Sequence, residues 1–267
     1  MAAAKTHVQA VRAEAGSDVK SVAKALDLLC CFTTERPEWG VTELADYLGL
    51  YKSAVHRLLI TFVRLRFIEQ TSSRRYRLGI RTAELGNMFQ RNDQLVRVAE
   101  RGLRVLAEEM KVITHLSKLD GRDTVELLRF DGMVERHSSG RSAVRREAHA
   151  TAKGKIFLAY VPNLFESYVC QRRFLKKYTP MTIETPESLR AELDRIRRQG
   201  YAVDNEESRG GLRCIAVPVC LPSGTLVAAL SISAQTKHLS IDDVPLCVPR
   251  LVHLARSIGC DLHRRPA

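Results

Sequence analysis

The sequence has no CxxC pair, no Cys and His cluster at metal-ligand spacing, and no apolar run approaching the length of a membrane span. These absences remove a thioredoxin-like redox pair, a structural zinc site and an integral membrane protein in turn. Seven cysteines, Cys30, Cys31, Cys170, Cys214, Cys220, Cys247 and Cys260, are scattered and odd in number. That is the pattern of reduced thiols used mostly for packing. Glycine-rich phosphate loops and nucleophile elbows are missing too. Aromatic residues make up 6% of the chain, and its first eighteen residues lack the apolar stretch of a secretory leader, so a cytoplasmic protein is expected. Acids are in short supply: 30 Asp and Glu face 42 Lys and Arg, for a net charge of +12. Such a balance favours a polyanionic partner, although an anionic membrane surface would also attract it.

The excess of base concentrates in one stretch. From Lys52 to Arg81 the basic residues are Lys52, Arg57, Arg64, Arg66, Arg74, Arg75, Arg77 and Arg81, against the single acid Glu69. Within it Val55, Leu58, Leu59 and Phe62 fall at i, i+3, i+4 and i+7, one face of a helix, leaving Lys52, Ser53, His56, Arg57, Thr61 and Arg64 largely on the other. A shorter helix precedes it, with Thr42 as the expected N-cap, Leu44, Ala45 and Leu48 inward, and Gly49 at the turn. Two helices joined around a glycine form a helix-turn-helix. The runs FIEQ and RYRL, separated by Thr71 to Arg74, can pair as a hairpin wing. A basic amphipathic helix alone is usually just solvated. Followed by a basic hairpin, it points to a phosphate backbone.

Residues 1–16 carry no apolar period and read as a flexible arm. Val19, Val22, Ala23, Leu26 and Leu29 then predict a helix packed beneath the helix-turn-helix, with Trp39 against its side. Past Leu78, two helical segments are expected, breaking near Arg91 to Asp93. The first shows Ile80, Leu85, Met88 and Phe89 with no obvious partner in the same chain and reads as a linker that pairs with its twin; packing on its own winged unit is the alternative. From Val112 the period becomes that of a sheet, with VITHLSKL, TVELLRF and MVERH as three consecutive antiparallel strands. Helices are expected over Thr151 to Val161, capped by Thr151, over Pro186 to Gln199, and from about Val244 to His263, where Ser240 and Asp243 have capping-box spacing and Pro249 could kink the helix. Strands YAVD, LRCIAVPV and TLVAALSIS complete an α+β second domain.

SVAKALDLL, LADYLGLYKSAVHRLL, YRLG, HATAKGKIFLAY, YTPMTIETPESLRAEL and RRQGYAVDNEESRGGLRCIAVPVCLPSGTLVAALSIS follow one another in the order and spacing of the IclR family of bacterial transcriptional regulators, which the chain resembles from Ser17 onward. The resemblance implies a winged helix-turn-helix over 17–79, a linker and dimerisation helix over 80–92, and a GAF-like effector-binding domain over 93–267. It also implies a homodimer or homotetramer on double-stranded operator DNA. Lys52, Ser53, His56 and Arg57 then become the groove and phosphate contacts, with Arg74 and Arg75 at the wing. Tyr51 stands where the family commonly has a small capping residue or proline, and Arg66 where it usually has glycine.

For a small organic acid effector the residues are Ala152 and Lys153, whose backbone N–H groups open a helix and suit a carboxylate. Ser231 and Ser233 share one strand face. Asp204, Leu212 and Cys214 match family positions in the same pocket. A lone Asp204 would repel a carboxylate and suits a ligand hydroxyl, favouring a hydroxylated or oxo acid, aliphatic or aromatic. Arg145 and Arg146 depart from apolar family positions. The resemblance calls for no cofactor or metal. The competing readings are an architectural DNA binder without effector, and an enzyme built on Cys214 with His149 or on Ser231 with Asp204.

Overall fold

The computed structural model describes residues 19–33, 36–121, 123–133, 147–170 and 172–264. The expected arm, the third strand MVERH beyond Met133, and Arg145 with Arg146 lie outside the described residues. The chain divides after Gln90 into two compact units.

The first unit runs α1 (Lys20–Cys30), α2 (Val41–Leu48), α3 (Lys52–Arg64), β1 (Ile68–Gln70), β2 (Tyr76–Leu78) and α4 (Ile80–Asn92). Leu28, Leu44, Ala45, Val55, Leu59, Ile68 and Tyr76 form its core, closed by Trp39. Trp39 is fixed three ways: its backbone bridges Tyr76, its Nε1–H donates to the Cys31 carbonyl at 2.9 Å, and the Arg36 guanidinium lies 3.3 Å from the ring centroid. Two local expectations are corrected. The N-cap of α2 is Gly40 rather than Thr42, and the capping contact comes from Glu43 in the first turn, whose Oε2 accepts from the Gly40 N–H at 3.1 Å. In α1 the inward residue is Leu28, fully buried, whereas Val22 is 53% exposed, with Val19 and Leu26 similarly open. Of the expected stripe, Val19, Val22 and Leu26 therefore do not face the core of their own unit, while Leu29 packs against it. Gly49 has φ +65°, the left-handed turn between α2 and α3.

The second unit contains α5 (Gln94–Met110), β3 (Ile113–Asp120), β4 (Asp123–Asp131), a 3₁₀ turn (Ala148–Ala150), α6 (Ala152–Tyr160), α7 (Leu164–Val169), α8 (Pro186–Gln199), β5 (Ala202–Asn205), β6 (Leu212–Cys220), β7 (Leu226–Gln235) and α9 (Val244–Arg264). Among the described residues, its five strands form an antiparallel sheet in the order β4-β3-β7-β6-β5. Alternation sorts the side chains to two faces. Leu116, Ile215, Val217, Leu230 and Ile232 meet α5 and α9 in one core. Ala202, Ala216 and Ala229 present a lane of methyls to α6 and α8 in another. Leu189, Leu193 and Ile196 recur at i, i+4 and i+7 on α8 and are buried there, each worth about 1.5–3 kcal/mol. The capping box of α9 closes as expected, Ser240 N–H donating to Asp243 at 2.7 Å and Asp243 N–H to Ser240 at 3.3 Å; Pro249 sits inside the helix, which runs on to Arg264.

Candidate functional site

On α3 the buried residues are Val55 and Leu59, with Leu58 and Phe62 half-buried, as the period predicts. Lys52, Ser53, His56 and Arg57 are all exposed on the other side. Tyr51 is the N-cap residue, makes no capping bond and stands almost wholly exposed. The basic hairpin proves less uniform than its sequence. Arg75 is turned onto the body of the unit, donating to Glu43 at 2.8 Å and to the Glu38 carbonyl at 3.1 Å. Arg77 pairs with Glu69 and Arg81 with Glu84. Lys52, Arg57, Arg64, Arg66 and Arg74 make no ion pair among the described residues, so uncompensated charge remains on α3 and the hairpin tip. Arg66 and Arg74 have φ of +63° and +59°, conformations that favour glycine. Glycine would adopt the left-handed backbone at Arg66 without a Cβ penalty.

Pairing of Glu43 with the Gly40 N–H, and then with Arg75 and Arg36, holds its carboxyl down at about 2. This carboxylate adds an ionic tie between the wing and the helix-turn-helix to the Trp39–Tyr76 bridge and the Arg75 bond to the Glu38 carbonyl.

In the second unit the sheet face toward α6 carries a polar row. Register places Asp204 opposite Cys214 and Cys214 opposite Ser233, while Ser231 lies opposite both His115 and Ala216. Leu212 shares the Cys214 face by alternation. Above the row, Thr151 caps α6 by accepting from the Gly154 N–H at 3.1 Å, so the N–H groups of Ala152 and Lys153 have no acceptor within their own helix. A Cβ on Gly154 would collide with the Ala148 carbonyl; the 3₁₀ turn approaches α6 that closely.

Asp204 is fully buried and occupied: Oδ1 accepts from the N–H groups of Glu207 and Ser208 at 2.8 and 3.1 Å, and Oδ2 from the Ser208 hydroxyl at 2.6 Å. Burial nonetheless pushes its carboxyl above the usual range. The Cys214 thiol is pushed well up by burial and by Asp204, the opposite of an activated thiolate. His149 bonds to the Tyr168 hydroxyl at 2.7 Å and to the Lys176 carbonyl at 2.9 Å, which occupies both ring nitrogens. Neither pairing that would have made an enzyme is therefore assembled. Among the described residues no group of three or more His, Cys, Asp and Glu could hold a metal, and no helix is long and apolar enough to cross a membrane.

Sequence reasoning missed two groups. His115 shares a 2.7 Å bond with Glu126 and a 2.8 Å bond with Ser233, and Lys153 donates to the same Glu126 oxygen at 3.5 Å. Their signal was alternation away from the turn at Gly121, which sets His115 and Ser117 on the face of Glu126. Lys155, on the inward side of a largely apolar helix, is buried with its amine on Glu207 at 2.7 Å, Glu192 at 3.1 Å and the Val203 carbonyl at 2.6 Å.

A helix-turn-helix with a paired hairpin, joined to a separate sheet domain with a polar internal face, defines a two-part transcriptional regulator. Residues 21–72 match the IclR helix-turn-helix domain and residues 89–260 the bacterial transcriptional regulator IclR C-terminal domain. The chain belongs to the IclR family of bacterial transcriptional regulators. It is 36% identical to the HTH-type transcriptional regulator KdgR of Dickeya chrysanthemi over 90% of this chain and 79% of that one. It is 33% identical to XynR of Escherichia coli K12 over 85% and 90%. The crystal structure of an IclR transcriptional regulator from Alicyclobacillus acidocaldarius superposes with a TM-score of 0.79 at 27% identity, covering 91% of this chain and 98% of that one.

Proposed function

We propose that the protein binds operator DNA through α3 and the hairpin, as a homodimer or a pair of dimers in the cytoplasm, and that a small organic acid bound in a GAF-like second domain alters this binding. The observation that carries the reading is the free polar face of α3, where Lys52, Ser53, His56 and Arg57 stand clear while the apolar residues are spent on the core. Arg74 at the hairpin tip extends that face to the neighbouring groove or phosphates; Arg75 braces the wing through Glu43. On α4, Ile80, Leu85, Met88 and Phe89 are exposed and none of its described residues is buried, which supports pairing with a second copy over packing on its own unit.

The acid is assigned to the end of α6, with its carboxylate on the Ala152 and Lys153 N–H groups beside Leu212, Cys214, Ser231 and Ser233. Asp204 supports this site by holding the loop after β5 and leaves the hydroxyl contacts to others. Selection of duplexes from a random pool should enrich an inverted repeat, and at least one acid from a panel should raise the melting temperature and shift operator affinity. A pool without consensus would leave an architectural binder; an unmoved melting temperature across the panel would leave a domain without this ligand class.

A further inference from the structure

Among the described residues, two buried polar atoms on the α6 face of the sheet have no hydrogen-bond partner: the Ser117 hydroxyl and Oε1 of Glu126. Ser117 is 0% exposed and Glu126 8%, and they sit directly opposite each other on β3 and β4. Leaving such groups unsatisfied costs about 1–3 kcal/mol each, so a site this organised calls for something that completes it. The completing group can be specified from the protons. Burial lowers the basicity of His115 despite its carboxylate neighbour. Burial also opposes ionisation of Glu126, but the hydrogen bond from His115, with the positive charges of Lys153 and Arg129, outweighs it and holds the carboxyl below its usual range. A neutral imidazole beside an ionised carboxylate donates through Nδ1 to Glu126, and its Nε2 must then accept the Ser233 proton. Ser233 thus turns only lone pairs outward. Oε1 of Glu126 is likewise an acceptor, and of these four groups Ser117 alone has a free proton to give. This wall wants donors, and an ionised carboxylate has none.

We propose that Ser117, His115, Glu126 and Ser233 form a hydroxyl-reading subsite that selects polyhydroxylated carboxylates over acids with bare alkyl chains. The inference rests on the acid-sensing reading above, and it divides the ligand in two. The carboxylate lies toward the α6 N–H groups and the Lys153 amine, away from the negative Glu126. The hydroxyls along the chain donate to Glu126 Oε1 and Ser233 Oγ, and one accepts from Ser117. Lys153, 3.5 Å from Glu126, marks where the two halves meet.

The test is calorimetric titration of the full-length protein with four-, five- and six-carbon aldonates and with alkanoates of the same lengths. At least one aldonate should bind more tightly than its alkanoate by about tenfold or more, since a site built around hydroxyls discriminates strongly against ligands lacking them. Glu126→Gln should shrink that ratio about tenfold. Ser117→Ala should shrink it too without lowering the melting temperature, because it deletes a hydroxyl that the unliganded fold leaves unpaired; this keeps the test decisive if Glu126→Gln folds poorly. Alkanoates matching aldonates in the unmodified protein, or a ratio unmoved in Ser117→Ala, would overturn the subsite while leaving acid sensing intact. Binding of no aldonate or alkanoate, with other acids still raising the melting temperature, overturns the subsite alone. No response to any acid overturns both. An ester-hydrolysing activity lost in Ser233→Ala would assign the Ser233, His115 and Glu126 chain to nucleophile activation and overturn the subsite.

Discussion

The two units handle charge in opposite ways. On α3 the cations stand in water with no ion pair among the described residues, whereas behind the sheet two enclosed networks bond Lys155 to Glu192 and Glu207, and His115 to Glu126. An exposed charge costs the fold almost nothing and remains available to a partner. A buried one is expensive, and persists only where geometry compensates it. The first arrangement fits long-range attraction of a polymer of uniform charge; the second fits reading the shape of a small molecule.

The contrast breaks most clearly at Lys155. Lys155→Met should destabilise the second unit by about 3–5 kcal/mol in denaturant unfolding, because it strands Glu192 and Glu207 without their cation. Lys52→Met, on the exposed face, should change stability by no more than about 0.5 kcal/mol. Equal effects would mean that the enclosed charges are not coupled as drawn. On the α3 side, Arg57→Ala should weaken operator binding by about 1–3 kcal/mol and relax preference at a single base position. Uniform weakening on all duplexes, with a shallower salt dependence, would make Arg57 a phosphate contact instead.

A small effect is expected at Glu43, which belongs to neither extreme, being partly exposed yet multiply bonded. Its folded carboxyl titrates near 2, below the ordinary value of 4.5. A depressed value means that its stabilisation is complete above about pH 4.5 and disappears as the pH falls toward 2. The unmodified protein and Glu43→Gln should therefore differ by about 0.5 kcal/mol at neutral pH and converge in acid, as followed by melting temperature against pH; solvent screening keeps the difference small. A constant gap down to pH 2 would show that the carboxylate charge is not what ties the wing.

What the sequence disclosed follows the same division. Val55, Leu58, Leu59 and Phe62 identified the inward face of α3 because a helix repeats every few residues and needs no distant partner to define its faces. The polar row behind the sheet was legible only in part. Asp204, Cys214, Ser231 and Ser233 were grouped by resemblance, but their meeting with His115 and Glu126 depends on pairing between β3 and β7, strands separated by most of the unit. Nor could periodicity show that Asp204 is saturated by its own loop, since backbone N–H groups leave no mark on composition. The α1 stripe misled for a related reason: Val19, Val22 and Leu26 have the right period but face outward. Periodicity reports that a face exists and is silent on what covers it.

Pairing of β3 with β7 also has a temporal side. The centre of the sheet joins Ile113 to Ser233, so the ribosome must have made nearly the whole chain before that ladder can close. The helix-turn-helix draws its core from a short early span and can fold while synthesis continues. A nascent reading head would thus exist for a time without its sensor, and messages truncated before β7 would release a fragment whose basic helix is formed and whose sheet cannot be.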